Sequence, residues 1–474
     1  MQQVRLELDS NVRRVSNGTA LLGGSPFRVV RLSAAGAQLL DRWLVGESES
    51  LTEEAQQLRD RLIRAGMLHP VPGESLPLPT ATLVVPVYDD VAGLEALLCA
   101  LRREFLTEKI VVVDDASPDS AAIVAIVERH EAELLSHDRN RGPAAARNTA
   151  WRHSVTSSGD VTLVPQVIVF VDADVVPRAG AVRTMLAHFA DPGVAVVAPR
   201  VSAAAGRNML SAYEAHNSPL DMGGEAAIVY PGTRISYVPS AMLAVRTDVL
   251  DQTGGFDEAM RCGEDVDMVW RLIHDGHLVR FEPKAEAEHR NRSSLMAFAR
   301  QRFTYGSSAA SLAARHGDKV APLQLPATTV VATLAMIFGG PVVRIAGLAA
   351  AIAGVIPLTR KLAGKVDAPH EEALRLTVMT HGYAVQGLSV AATRSWAPLL
   401  LLFPRTRRAL AAALIVPALI DWFRTRPGLD PITHTALRAI DHGSYCAGVW
   451  SGVLRSRSVA ALLPSIRTST RHDD

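Results

Sequence analysis

The run Val167-Ile168-Val169-Phe170-Val171 passes directly into Asp172-Ala173-Asp174. Five consecutive β-prone apolar residues offer water no polar face. They therefore read as a strand covered on both sides, as in the interior of a parallel sheet. Such a strand needs parallel neighbours and helices over both faces, and any site it serves lies at its carboxyl end. Two carboxylates spaced one apart at that tip can converge across the bend that follows. Hard divalent cations take oxygen ligands, and Mg²⁺ shares one or two carboxylates with phosphate oxygens.

The neighbours are legible upstream. Thr82-Leu83-Val84-Val85-Pro86-Val87-Tyr88 reads as a strand, followed by a helix through Leu94, Leu97, Leu98 and Leu101. Lys109-Ile110-Val111-Val112-Val113 is the next strand and ends in Asp114-Asp115. A helix from near Asp119 turns Ile123, Ile126 and Val127 inward, and Asn140-Arg141-Gly142-Pro143 leads into another carrying Ala144 to Asn148. This alternation predicts an α/β fold with a mostly parallel sheet. Asp114, Asp115, Asp172 and Asp174 are then expected to share one crevice.

Before this core, residues 1–70 read as a small unit of two strands, around 19–24 and 27–32, and two helices opened by Ser33 and Thr52. Residues 71–79 form a proline-rich connector. Beyond the core, residues 311–474 read as a helical, apolar region. Its apolar stretches fall short of the roughly 20 residues a spanning helix needs, and several are bracketed by Arg405, Arg407, Arg408 and Arg424. That pattern suits helices lying on a membrane surface and also a buried bundle.

The chain of 474 residues has a formal net charge of +1, without the basic excess that a nucleic-acid partner would require. Its three cysteines, Cys99, Cys262 and Cys446, are far apart and odd in number, so a reducing, cytoplasmic setting is expected. The opening Met1-Gln2-Gln3-Val4-Arg5-Leu6-Glu7 does not read as a secretory signal.

The order of short motifs is more specific than any one of them. Val85-Pro86-Val87-Tyr88, Val113-Asp114-Asp115-Ala116-Ser117, Asn140-Arg141-Gly142 with Ala146-Arg147-Asn148, and Asp172-Ala173-Asp174 come first. Gly254-Gly255-Phe256-Asp257 and Gly263-Glu264-Asp265-Val266-Asp267 with Trp270-Arg271 complete the series. Across about residues 80–310 this resembles the family-2 glycosyltransferases of the GT-A fold, a Rossmann-like nucleotide-diphospho-sugar transferase core.

The resemblance implies a role for each position. Asp114 or Asp115 would accept a hydrogen bond from the nucleotide base, with Pro86 and Tyr88 shaping the base and ribose pocket. Arg147 would reach the base or diphosphate, for which a planar guanidinium fork is suited. Asp172 and Asp174, with His289, would hold Mg²⁺ or Mn²⁺ on the diphosphate. Asp265 is the expected catalytic base, one base sufficing for an inverting displacement. Glu264 would tune or position it. Gly254 and Gly255 resemble an acceptor-side loop. Asp267 and Arg271, spaced i to i+4, are expected to form a surface ion pair.

Residues 295–306 read as an amphipathic basic helix. Processive glycan synthases carry Gln-x-x-Arg-Trp at such a place. Here Gln301 is followed by Thr304 and Tyr305, which argues against strong processivity but leaves Tyr305 to stack on a sugar.

The full arrangement is similar to the glycosyltransferases of the mycofactocin system, which join a PqqD-like, winged-helix-type front to a family-2 core. Val12-Arg13-Arg14, Gly24-Ser25-Pro26 and Leu32-Ser33-Ala34-Ala35-Gly36 carry that likeness at the front. It implies transfer of glucose, from UDP-glucose, to a redox cofactor derived from a ribosomal peptide, with several β-linked units added. A transferase acting on envelope lipid or polysaccharide and a peptide-binding scaffold with an inactive core are the two alternatives.

Overall fold

The computed structural model describes residues 5–47, 52–73, 77–105, 108–157 and 164–467. Residues 1–4, where the sequence starts, and 74–76 of the proline-rich connector lie outside them. In chain order the front carries β1 (Arg5–Leu8), β2 (Arg13–Val15), β3 (Ala20–Gly23), β4 (Arg28–Arg31), α1 (Ala34–Leu44), α2 (Glu53–Arg64) and β5 (Leu68–Val71). Then follow β6 (Ala81–Val87), α3 (Val91–Glu104), β7 (Ile110–Asp114), α4 (Ser120–Arg129), β8 (Glu133–Ser136), α5 (Pro143–Thr156) and β9 (Val167–Val171). The core continues through β10 (Val175–Pro177), α6 (Ala181–Ala187), β11 (Val194–Ala203), α7 (Met209–Asn217), β12 (Ala227–Ile228), β13 (Met242–Arg246), α8 (Thr247–Thr253), α9 (Glu264–His274) and β14 (Leu278–His289).

These strands form one sheet in the order β10-β14-β11-β13-β9-β6-β7-β8, with β12 added on β14. The half from β9 to β8 is parallel, as the alternating sequence predicts. The other half is mixed, because β13 enters antiparallel between β9 and β11. All five residues of β9 are buried. Val167, Val169 and Val171 pack in one core with Leu94, Leu97, Leu98 and Leu101 of α3 and Ile123, Ile126 and Val127 of α4, the inward residues read from the sequence.

Local chemistry sets the helix starts. Asp90 and Asp119 cap α3 and α4 by accepting from backbone N–H groups of the first turn. Pro143 opens α5 at a position where no amide hydrogen is needed. Gly263, at φ +81°, turns the chain into α9, whose first turn carries Glu264, Asp265 and Asp267 beside the positive end of the helix dipole.

The chain divides into two compact units. The first holds Met1–Arg13, Gly23–Arg28 and Ala34–Asn291, and the second Arg14–Leu22, Val29–Ser33 and Arg292–Asp474. The first seventy residues are thus shared between the units instead of standing as one module. In the first unit β1 pairs antiparallel with β5, and His69 Nε2 lies 2.8 Å from Asp9 Oδ2. His69 Nδ1 lies 3.3 Å from Nη2 of Arg280, which fastens the strand pair to β14.

The second unit contains α10 (Leu295–Ser307), α11 (Ala309–His316), β15 (Gln324–Pro326), α12 (Ala327–Phe338), α13 (Pro341–Ala353), α14 (Val355–Leu362) and α15 (Pro369–Arg394). It ends with α16 (Ala397–Leu400), α17 (Pro404–Thr425), α18 (Pro431–Ser456) and β16 (Ser465–Arg467). Ala20 and Leu22 of β3 pack with Leu362, Val366 and Ala373, which explains their grouping here. The basic helix that the sequence assigns to the catalytic domain is α10, and it belongs to this unit too. A Cβ at Gly306 would meet the Tyr445 carbonyl at 2.1 Å, and one at Gly448 the Phe303 carbonyl at 2.0 Å, so only glycine allows α10 and α18 to touch so closely. Arg302 of α10 is buried against Asp441, which also pairs with Arg394. Tyr305 is half-buried on the same helix.

Phe170→Ala should remove a fully buried ring that stacks edge-to-face on Phe256 at 5.2 Å. We expect a loss of about 3–5 kcal/mol, read as a lower urea midpoint for the transition that unfolds the sheet.

Candidate active site

The centre of the site is a buried guanidinium. Arg147, on the first turns of α5, donates from Nη2 to Asp172 Oδ1 at 2.6 Å and from Nη1 to Glu264 Oε1 at 2.9 Å. Its plane lies over the Phe256 ring at 5.3 Å. Both carboxylates hold its pKa above the usual arginine value against the opposing effect of burial. The sequence reading sends Arg147 to the nucleotide. The structure engages both terminal nitrogens with acids from two other elements, so it acts first as a brace between the β9 tip and the start of α9.

Burial and the Asp265 charge push Glu264 up to about 7, although Arg147 pulls it down. Desolvation also raises Asp172, with Arg147 lowering it and Asp174 raising it, while its side chain stays 29% exposed. Asp174 lies beyond the bend, its Oδ2 3.3 Å from His289 Nε2 at the end of β14. Pairing of β10 with β14 sets that approach, since Val175 faces His289 in register.

Asp265 follows Glu264. Its Oδ2 accepts from the Ser240 amide at 3.2 Å and its Oδ1 from the Val266 amide at 2.8 Å. The next carbonyl along, that of Ala241, accepts from the Asp172 amide at 2.9 Å. Residues 240 and 241, entering β13, therefore hold the candidate base and the first candidate metal acid from adjacent backbone groups. Nothing in the sequence points to them.

The two acids at the end of β7 have different tasks. Both oxygens of Asp115 are engaged within the protein. Its Oδ2 accepts from Gly142 N at 2.7 Å, and its Oδ1 accepts from Arg141 N at 2.8 Å and lies 2.7 Å from His137 Nδ1. It anchors the Asn140-Arg141-Gly142 turn. Asp114 Oδ1 accepts from Ser117 N at 2.9 Å, and among the described residues its second oxygen takes no side-chain hydrogen bond. Pro86 is buried at the end of β6, and Tyr88 is exposed beside it. Cavities of about 610 and 360 Å³ flank the turn, the first lined by His137, Asp138 and Arg139, the second by Arg141, Glu258 and Arg261 among others.

The Gly254-Gly255 loop is fixed from below. Asn148 donates to the Phe256 carbonyl at 2.7 Å and accepts from its amide at 3.0 Å. Gly255 has φ +74°, and a Cβ there would meet Asn148 Oδ1 at 2.6 Å. Arg271 donates to Gly255 O at 2.6 Å and to Asp267 at 2.9 Å. The Asp267–Arg271 pair thus forms at the expected spacing but not as a surface pair. Asp267 is 1% exposed, and the arginine clamps the loop.

The donor set suits a divalent cation that shares its shell with a ligand. The Asp174 charge lies close enough to raise the proton affinity of Asp172, a crowding that a cation relieves, and His289 stands beside Asp174. Among the described residues no group of three or more carboxylate, imidazole or thiolate side chains closes a metal cage. Phosphate oxygens would complete the shell.

Residues 82–253 match the model of glycosyl transferase family 2. Together with the central sheet and its helices, this gives the GT-A class expected from the sequence. The chain is 38% identical over 480 residues to the pre-mycofactocin glycosyltransferase of Mycobacterium tuberculosis, in strains CDC 1551 and H37Rv, covering 98% of each chain. It is 30% identical over 216 residues to the succinoglycan biosynthesis protein ExoO of Rhizobium meliloti, 44% of this chain and 60% of that one. A mannosyltransferase from Pyrobaculum calidifontis, solved with GDP-Man and Mn²⁺, aligns over 80% of this chain and 89% of its own at 19% identity and a TM-score of 0.43.

Between the ordinary glutamate value of 4.5 and about 7, native Glu264 binds more protons than the unfolded chain, so stability falls as pH rises through that window and levels off above it. Glu264→Gln should flatten this decline in urea midpoints measured from acid to neutral pH. Parallel curves for the two proteins would show that Glu264 is not its source.

Proposed function

Because the chain belongs to the pre-mycofactocin glycosyltransferases within glycosyltransferase family 2, we propose that it transfers glucose from UDP-glucose to the peptide-derived redox cofactor mycofactocin or its precursor. Transfer proceeds with inversion and adds several β-linked units. The observation that carries this reading is the hold of residues 240 and 241 on both Asp265 and Asp172. It sets a proton acceptor beside the acids that would face a diphosphate.

Asp114 offers its second oxygen to the imide N–H of uracil, with Pro86 and Tyr88 about the base and ribose. Asp115 shapes the pocket indirectly, through the 140–142 turn. Asp172, Asp174 and His289 would hold Mg²⁺ or Mn²⁺, which neutralises charge developing on the leaving diphosphate. Asp265 takes the proton of the acceptor hydroxyl as its oxygen attacks the anomeric carbon from the face opposite the leaving group. Two hydrogen-bonded amides fix the direction of that carboxylate. Glu264, held by Arg147, positions the start of α9, and the Gly254-Gly255 loop lets an acceptor approach the backbone. On this reading the enzyme works as a peripheral protein on the cytoplasmic side of a membrane.

Deleting the gene should remove the hexose increments on the cofactor in mass spectra of the small-molecule pool. An unchanged ladder would sink the assignment. Purified enzyme that glucosylates envelope lipid but not the cofactor precursor would favour the envelope alternative. With purified enzyme, Asp174→Ala should abolish metal-dependent transfer without unfolding the chain. Asp265→Asn should lower kcat by roughly 10²–10⁴-fold with little change in donor KM.

A further inference from the structure

The second unit exposes far more apolar surface than a water-facing helical layer needs. Pro341–Leu362, running through α13 and α14, is 22 residues long, past the roughly 20 that the sequence reading held these stretches to fall short of, with a mean hydropathy of 2.0 over its most apolar window, of which only 17% is buried. A core helix would be mostly covered. Phe338, Val342 and Ile345, around the turn between α12 and α13, are 63%, 79% and 69% exposed. A second apolar element follows α15, where Leu399, Leu401, Leu402 and Phe403 are all exposed. It runs directly into Arg405, Arg407 and Arg408, also exposed, with no acidic residue between 395 and 420. Arg407 Nε donates to the Leu401 carbonyl at 2.7 Å, tying the basic turn to the apolar one.

We propose that these two elements form a docking face for a bilayer containing anionic lipid, with the apolar side chains at the headgroup–acyl boundary and the arginines among the headgroup phosphates. The pairing of exposed aliphatic and aromatic residues with uncompensated arginines is what such a surface recognises, whereas a neutral protein groove would leave the three charges unanswered.

Thr333 of α12 bonds His381 of α15 at 2.8 Å, and Leu362 packs in one cluster with Ala373, so α12 and the end of α14 are both held on α15. The docking face rests on reading the chain as a peripheral membrane enzyme and is independent of which sugar it transfers.

Sedimentation of the full chain with vesicles tests it, using phosphatidylcholine alone and phosphatidylcholine with phosphatidylglycerol, at low and high salt. The wild type should pellet with the anionic vesicles and be released by salt. Arg405→Gln, Arg407→Gln and Arg408→Gln together should weaken that binding roughly 100-fold. Val342→Ser with Ile345→Ser should weaken it at low salt, where the wild type pellets. Failure of the wild type to pellet, or equal binding to both vesicle types, overturns the proposal. So does a concentration-dependent dimer that the serine pair dissolves, since a second copy would then cover the face. Sugar transfer to dissolved acceptor, assayed without vesicles, should be unchanged in all variants. Its absence from the wild type would count against the transferase reading and not against the docking face.

Discussion

A guanidinium buried between two carboxylates from distant parts of the chain is the constraint on which this site depends. Arg147 joins the tip of β9 to the first turn of α9, and without it Asp172 and Glu264 would face each other's charge inside a desolvated crevice. Breaking a buried ion pair by removing one partner is far more damaging than its net contribution suggests, because the remaining charge is left uncompensated. The same residue supports Phe256 from its π face, and Phe256 in turn abuts Phe170 behind the two acids. The candidate metal acids, the candidate base and the Gly254-Gly255 loop thus share one support.

The antiparallel entry of β13 beside β9 gives that support its geometry. In a fully parallel sheet the neighbour of β9 would present its own carboxyl end to the crevice. Here β13 presents its amino end instead, and the backbone of residues 240 and 241 arrives beside Asp172. Backbone groups cannot be lost by side-chain substitution. The direction of Asp265 is therefore written into strand topology as much as into sequence.

That division explains what could be read in advance. The strands, the helix faces of α3 and α4, and the acids at strand ends were legible because each rests on a local pattern: an apolar run, a helical period, a capping residue. Joining them into one site needed the order of motifs, and the resemblance supplied it. Asp114 and Asp115 could not be told apart, since the difference comes from Gly142 and His137, over twenty residues downstream. Asp267 and Arg271 had the spacing of a surface pair, but Asp267 is buried and Arg271 is held by the carbonyl of Gly255, which lies outside the helix. The grouping of β3 with the C-terminal helices was equally hidden, because Ala20 and Leu22 find their partners more than 300 residues away.

The electrostatics of the crevice run against the stability of the fold. Asp172 and Glu264 both have a higher proton affinity here than in water, so each is less comfortable ionised at neutral pH than it would be in the unfolded chain. A site arranged only for stability would disperse Asp172, Asp174, Glu264 and Asp265 or add cations beyond Arg147. The sheet tolerates the crowding because β9 and its neighbours are buried throughout and α3 and α4 cover them. Local charge repulsion retained against a well-packed core is a departure from the demands of stability of the kind that functional sites show.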